Sequence, residues 1–474
     1  MAALKQGRVG STAKSGRVTM TSPTFDDGLN DASANSSGTL FGVLQPTSAK
    51  APTDVSAGIT VAGMETGWNV WETADGVFSA SFEAQRVAEL QTYLSNGMKV
   101  FLTPDLHYPP SWLLALANTQ DVNQLGHASG TASFAFSQTV RTKAAAYLTR
   151  IGNVLGWKNI WGIRIGGGGQ VESGFPYMNV VSGDGSNQYW GYNANAQGNA
   201  TDRPSSVPVC PFKGTGYANN GTTGGASGST FWWSPGETQY QGAAFTAGVG
   251  SNTETWFNWY IAALADVINW QMSTLRGLGY TGYFMVDFAG LGIRPSEYGP
   301  NLTNRLNGTS DTNSVMGRAC VFHKLSDLLN NDSKIILHCS SVWDTSGSSL
   351  PDSQRIPNSS DILRYGPNAG NTYLTSSDIN SWASQRWIAF LADRKGWLKG
   401  GENPSHTDSA NNSLGQTNYN RLMLQGCMES ALSGSYVEFC WAFEADLYKY
   451  YSLTDANGTG VTLSDYADAI RHQG

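Results

Sequence analysis

The sequence predicts a (β/α)8 barrel of the TIM type, on three observations: strand-length apolar runs recur along the chain, amphipathic helical patterns separate them, and the runs number eight. The runs are Leu40–Gln45, Ile59–Glu65, Lys99–Pro104, Ile160–Gly166, Gly282–Phe288, Lys334–Cys339, Gly396–Gly401 and Tyr436–Phe443. Between them, Phe82–Ser95, Gln138–Leu155, Thr253–Leu278, Ser314–Asn330, Asp378–Ala392 and Asn418–Leu432 carry apolar residues at three- and four-residue steps, the period of a helix packed on one face.

Composition narrows the function. The 474 residues are 40% hydrophobic and 11% aromatic, enough for a large core and unlike a disordered chain. Charged residues make up 14% with a net charge of −7, which disfavours nucleic acid as a partner. No run approaches the roughly 20 apolar residues of a membrane span, and the first 30 residues or so lack a secretory apolar core. No membrane insertion and no signal-directed export are expected. The five cysteines, Cys210, Cys320, Cys339, Cys427 and Cys440, are widely spaced without a CxxC pair, which reads as reduced, buried thiols. Glycine at 55 with 16 Trp and 20 Tyr combines flexible loops with flat rings, the character of a sugar-binding surface, or equally of a virion or extracellular surface.

Residues 1–37 stand apart as an N-terminal arm, in which Lys5, Arg8, Lys14 and Arg17 precede the first acid, Asp26. The barrel is then expected over 38–474. Within it, 174–250 is dense in Gly, Asn, Ser and Thr with Trp190, Trp232 and Trp233 interspersed, and reads as a long loop insertion after strand four, over the active face.

Barrel chemistry sits where strands end. Those ends supply Glu65, Trp68 and Trp71 after the second strand, Asp105, His107 and Trp112 after the third, and Gln170 and Glu172 after the fourth. Asp287 comes from the fifth, His338, Trp343 and Asp344 from the sixth, Glu402 and Asn403 from the seventh, and Trp441 and Glu444 from the eighth. A mouth of carboxylates and tryptophans suits glycoside chemistry, because one carboxyl can protonate the leaving oxygen while another attacks the anomeric carbon or activates water. Glu172 and Glu402 are the expected pair. Each lies in a glycine-rich strand exit, Gly166-Gly167-Gly168-Gly169-Gln170-Val171-Glu172 and Gly400-Gly401-Glu402-Asn403-Pro404, where ligand could approach the backbone.

The other residues are candidate substrate contacts, each with an alternative reading. His107 could meet a sugar hydroxyl or sit in the core, His338 reads as a hydrogen-bonded barrel-interior residue, and Trp68 and Trp71 could be sugar platforms or packing under a loop. The four-glycine run is not a phosphate loop, since no Lys-Ser/Thr follows and no GxGxxG opens a helix. No metal-ligand spacing or cofactor motif is present, so no cofactor is expected.

At these residues the chain resembles the clan of TIM-barrel glycoside hydrolases that includes the β-galactosidases. Gly58 to Trp68, with Trp71-Glu72 and Gly76-Val77-Phe78, is similar to the clan's second-strand region, and Leu102-Thr103-Pro104 through Pro109-Pro110-Ser111-Trp112-Leu113 to its "T-P…P-P-x-W-L" segment. The resemblance implies an acid/base Glu after strand four and a nucleophile Glu ending strand seven, the positions of Glu172 and Glu402. Val171 stands where the clan usually has Asn before the acid/base, and Gly-Glu-Asn-Pro at 401–404 looks closer to the "E-N-A" of inverting β-amylases, so retention and inversion both stay open.

The basic arm followed by a divergent barrel with His-Tyr-Pro-Pro-Ser-Trp also resembles minor tail proteins of phages infecting actinobacteria. That implies a virion location, attachment of residues 1–37 to other tail proteins, and a host-envelope glycan as substrate or receptor. The alternatives are a non-catalytic virion structural or receptor-binding protein, and a cytoplasmic β-amylase- or β-galactosidase-like enzyme.

Overall fold

The computed structural model describes residues 38–168, 171–177, 181–185, 187–217, 230–308, 315–343, 350–403, 421–448 and 461–471. The N-terminal arm lies outside them. Eight parallel strands close into a barrel: β1 (Leu40–Leu44), β2 (Val61–Glu65), β3 (Lys99–Thr103), β4 (Gly162–Ile165), β5 (Tyr283–Phe288), β6 (Ile335–Cys339), β7 (Leu398–Glu402) and β8 (Glu438–Trp441), with β1 pairing both β2 and β8. All eight fall on the expected runs. Helices follow them in turn: α1 (Ala51–Ser56), α2 (Ala80–Ser95), α3 (Gln138–Leu155), α4 (Asn252–Gly277), α5 (Phe322–Leu328), α6 (Ser384–Lys395), α7 (Arg421–Ser433) and α8 (Leu463–Arg471).

Three helices start on serine caps: Ser79, Ser137 and Ser251 accept from Phe82, Val140 and Glu254 amides, satisfying donors a first turn would leave open. Two expected helices are shorter than their patterns, because main-chain groups are captured by tertiary partners. Arg294 donates to the carbonyls of Ile379 and Trp382, so 378–392 breaks into a short 3-10 turn and α6. The 314–330 pattern is broken between helical residues 315–317 and α5, where Gly317 and Arg318 give their carbonyls to Tyr260 and Phe175.

Strand alternation divides the core. Leu44, Val61, Phe101, Tyr283, Met285, Ile336 and Cys440 cluster within the barrel, while Val43, Ala62, Val100, Phe284 and Phe439 join the larger core between strands and helices. The glycine-rich segment after β4 is well packed in part: Trp190 and Trp233 are buried, and Trp256 of α4 lies against Tyr189, Tyr192 and Trp233. No helix among the described residues is long and apolar enough to cross a membrane.

Candidate active site

The inward alternation that places apolar residues low in the barrel places ionisable ones above them. Arg164 on β4, Asp287 on β5, His338 on β6, Glu402 on β7 and Glu438 on β8 form one connected network. Arg164 donates through Nη2 to Glu402 Oε1 at 2.8 Å and through Nε to Asp287 Oδ2 at 2.7 Å. His338 bridges two acids, with Nδ1 at 2.7 Å from Glu438 Oε1 and Nε2 at 3.3 Å from Glu402 Oε2.

The electrostatics follow from this wiring. Burial disfavours charge on Glu402, but Arg164 and His338 outweigh it and hold its carboxyl below the usual range, so it is ionised at neutral pH. Burial alone would lower His338, yet Glu438 and Glu402 raise it to about 10, so the imidazole is charged. Burial pushes Asp287 up to about 6 against the pull of Arg164 and His338. His338 is thus the barrel-interior residue its apolar strand suggested.

Glu172 reaches the same rim by a different route. The chain leaving β4 folds back so that Gly167 N donates to Glu172 O at 2.7 Å, and Ser173 N donates to Asp287 O at 2.8 Å, fastening the turn to the end of β5. Glycine is required here: a Cβ on Gly166 or Gly167 would collide with the main chain of Val171 or Gly174. The side chain of Glu172 accepts at Oε2 from Tyr177 Oη at 2.6 Å and Arg318 Nη2 at 2.5 Å. Arg318 also lies over the Tyr177 ring, 3.8 Å from its centre. Ser173, next to Glu172, is bonded to the Asp287 carbonyl, and Arg164 joins the Asp287 carboxylate to Glu402, so the two glutamates share one end of the barrel.

Asp105 and His107 border this end. Asp105 accepts from Gly67 N at 2.7 Å through Oδ2, while buried Oδ1 has no hydrogen-bond partner among the described residues. Burial, then the charge of Glu65, raises it to about 7. Burial and Arg164 lower His107 to about 4, leaving it neutral. With Arg164, Gly166 and Gly168 they line a small cavity of about 10 Å³, room for roughly one water. Glu65 is exposed at the end of β2 and accepts from Gln45 at 3.2 Å.

The tryptophans lie elsewhere. Trp68 is buried, stacked on Tyr147 at 5.2 Å, with its indole N–H on Glu72, and Trp71 is buried with its N–H on Glu83. Trp112 is partly buried and donates to the Glu72 carbonyl. Trp343 is buried against Gly426 beneath the Arg355 guanidinium, and Trp441 points out of the barrel onto Tyr466 of α8. Trp68, Trp71, Trp343 and Trp441 are buried parts of the frame and offer no open face to a sugar. Asn403 ties β7 to β8 through reciprocal bonds with Ala442, and Glu444 is buried on Lys50 at 2.8 Å and the Thr47 amide. Gln170 and Asp344 lie outside the described residues.

Sequence reading missed Arg164, Arg318, Tyr177 and Glu438, which bind or orient the two glutamates, and Tyr108. Tyr108 and Tyr177 are the aromatics that remain exposed beside His107 and Glu172, at 54% and 43%. The glycines of the seventh strand also serve a different purpose from the expected one. A Cβ on Gly400 would occupy the space of the Glu438 carboxylate, so this glycine opens the path from β8 to His338. Among the described residues no group of three His, Cys, Asp or Glu side chains is arranged to hold a metal ion.

No protein-family model matches the chain, and no curated protein matches it. Among solved structures it is similar to a β-galactosidase from Bacillus circulans sp. alkalophilus, with 10% identity and a TM-score of 0.48, covering 94% of this chain and 56% of that one. A β-galactosidase from the psychrophilic Marinomonas ef1 gives 11% identity and a TM-score of 0.47, over 91% of this chain and 59% of the other. A β-glucosidase from Thermotoga maritima in complex with deoxynojirimycin gives 10% and 0.44, over 92% and 98%. The chain thus spans less than two thirds of the length of these two β-galactosidases. The likeness is one of fold, and the roles of this chain's residues rest on its own geometry.

Proposed function

We propose that this barrel hydrolyses O-glycosidic bonds, with Glu172 as general acid/base and Glu402 as nucleophile or base. The supporting observation is the gathering of both glutamates around Asp287 at one end of the barrel, Glu402 through Arg164 and Glu172 through the Ser173 amide, each with its own arginine. Ionised Glu402 is suited to attack the anomeric carbon or to deprotonate a water, and to stabilise the oxocarbenium-like charge. On the retaining route Glu402 bonds C1 as the C1–O bond breaks and the departing oxygen takes a proton from Glu172, and water, giving its proton to Glu172, then displaces the Glu402 carboxylate from C1; on the inverting route water attacks C1 directly and gives its proton to Glu402 while Glu172 protonates the departing oxygen. Tyr108 and Tyr177 are placed to border the sugar.

The test is a panel of aryl glycosides offered to the parent protein, Glu172→Gln and Glu402→Gln. Each variant should lose on the order of 10³-fold in turnover while keeping its far-UV spectrum. Unchanged turnover in both removes the assignment.

A second reading, a barrel that binds glycan without cleaving it, is favoured by the engagement of both Glu402 oxygens and by the narrowness of the cavity beside Arg164. Retention of envelope polysaccharide by the parent protein, without release of reducing ends, would select it. For either reading, the resemblance to phage minor tail proteins supports a place on the virion, with residues 1–37 docking on other tail proteins and the barrel meeting the envelope of the host. Deleting 1–37 should abolish incorporation into particles.

A further inference from the structure

Beside the barrel, the hairpin formed by Gln120–Val122 and Ala128–Ala132 receives the segment that follows β4. Val122 pairs with Gly191, Tyr192 N donates to Val122 O at 3.2 Å, Asn193 Nδ2 donates to Ser133 Oγ at 2.9 Å, and Trp232 Nε1 donates to Gln124 O at 2.9 Å. The seam borders an open cavity of about 560 Å³, within the range of small-molecule sites. It shares no lining residue with the small cavity beside Arg164.

Its lining decides what it can hold. Amides and hydroxyls of Asn118, Gln120, Asn199 and Thr215 alternate with the apolar side chains of Leu116, Val122 and Ala128 over a floor closed by the buried Tyr192 and Trp232, and no charged side chain lines it among the described residues. An ionic ligand would enter without a counter-charge, and a wholly apolar one would cover the amide oxygens of Gln120 and Asn199 without bonding them, so both are disfavoured. A saccharide offers hydroxyls to the former groups and C–H faces to the latter. The cavity is also organised in advance. Gln120 Nε2 is committed to Leu114 O at 2.9 Å and Asn199 Nδ2 to Gly214 O at 2.7 Å, so both amides are fixed before a ligand arrives and less ordering cost falls on binding.

We infer that this seam is a second carbohydrate site, taking an uncharged saccharide and acting apart from the Glu172 and Glu402 end. It would hold a polymer near the barrel whether or not the barrel cleaves it.

The test measures retention of the full chain on soluble arabinogalactan and mannan, with polygalacturonate as the anionic control and gelatin as the polypeptide control. Ala128→Trp fills the cavity from an exposed strand position, and Leu116→Glu places a charge at an exposed edge residue. Both should weaken binding to at least one neutral polysaccharide by about tenfold or more while leaving aryl glycoside turnover at the parent level. Glu402→Gln should bind as the parent does, which separates failure of this site from failure of the hydrolytic reading. The inference is overturned if the parent binds neither neutral polymer, if Ala128→Trp binds unchanged, or if polygalacturonate or gelatin binds equally well.

Discussion

His338 and Glu438, on strands separated by β7, meet at 2.7 Å through a gap that a side chain at position 400 would close. Glu438 is fully buried and His338 is charged, so this contact holds an ion pair in the low-dielectric centre of the barrel. Its other consequence is at the rim, because the same imidazole bonds Glu402.

Gly400→Ala should therefore be costly beyond its one added methyl. Displacing Glu438 leaves His338 without its nearer acid, a loss of about 3–5 kcal/mol for a broken buried pair. Urea unfolding of the parent and Gly400→Ala would measure it. A change below about 1 kcal/mol would mean that Glu438 relaxes without losing His338.

His338 also makes stability depend on alkaline pH. Its folded value of about 10 lies above the ordinary 6.5, so the folded chain binds the extra proton more tightly. That contribution is complete below about pH 6.5 and declines as pH rises through 10. Melting temperature should fall over this window, and the fall should be shallower in His338→Gln.

Asp105 gives a pH dependence of the same sign for a different reason, since here burial itself raises the value. Burial and Glu65 raise it from 3.8 to about 7, so its contribution is present below pH 3.8 and is lost as pH rises through 7, where a buried charge appears. Asp105→Asn keeps the shape, tolerates the positive φ of 55° at this position, and removes the charge. The melting temperature of Asp105→Asn relative to the parent should increase between pH 4 and 8. An unchanged difference would show that Asp105 stays ionised throughout.

The aromatic residues should divide into two classes. Trp68→Ala removes a fully buried ring and should destabilise by about 3–5 kcal/mol, with little change in KM for the protein that remains folded. Tyr108→Ala removes an exposed ring and should leave stability within about 0.5 kcal/mol while raising KM for a glycoside. Equal effects of the two on KM would refute the placement of Tyr108 at the sugar.

The strands were readable because their apolar runs are buried on both faces, which leaves a near-continuous hydrophobic signal. The site was readable in part. Glu172 and Glu402 stand out in glycine-rich exits, but Arg164 is set between Ile163 and Ile165 and reads as an oddity within a strand. Its inward direction follows from Gly162 two residues earlier, whose Cβ would meet Phe101 and Met285 inside the barrel, and a glycine gives no such signal in the sequence. Alternation also turns Trp441 outward once Cys440 faces in. The burial of Trp68 could not be read locally, because Tyr147 covers it from α3. Arg318 joins Glu172 across 146 positions of sequence, and no local pattern announces such a contact.

The doubled-back exit of β4 sets Glu172 by backbone clasping backbone, with its far side stitched to β5. The long excursion toward α4 begins only beyond that stitch. Its first residues still bear on the acid, Tyr177 through its hydroxyl and Phe175 through the Arg318 carbonyl, so only changes farther along would give the same reactive centre a different reach without retuning the spot from which the acid works.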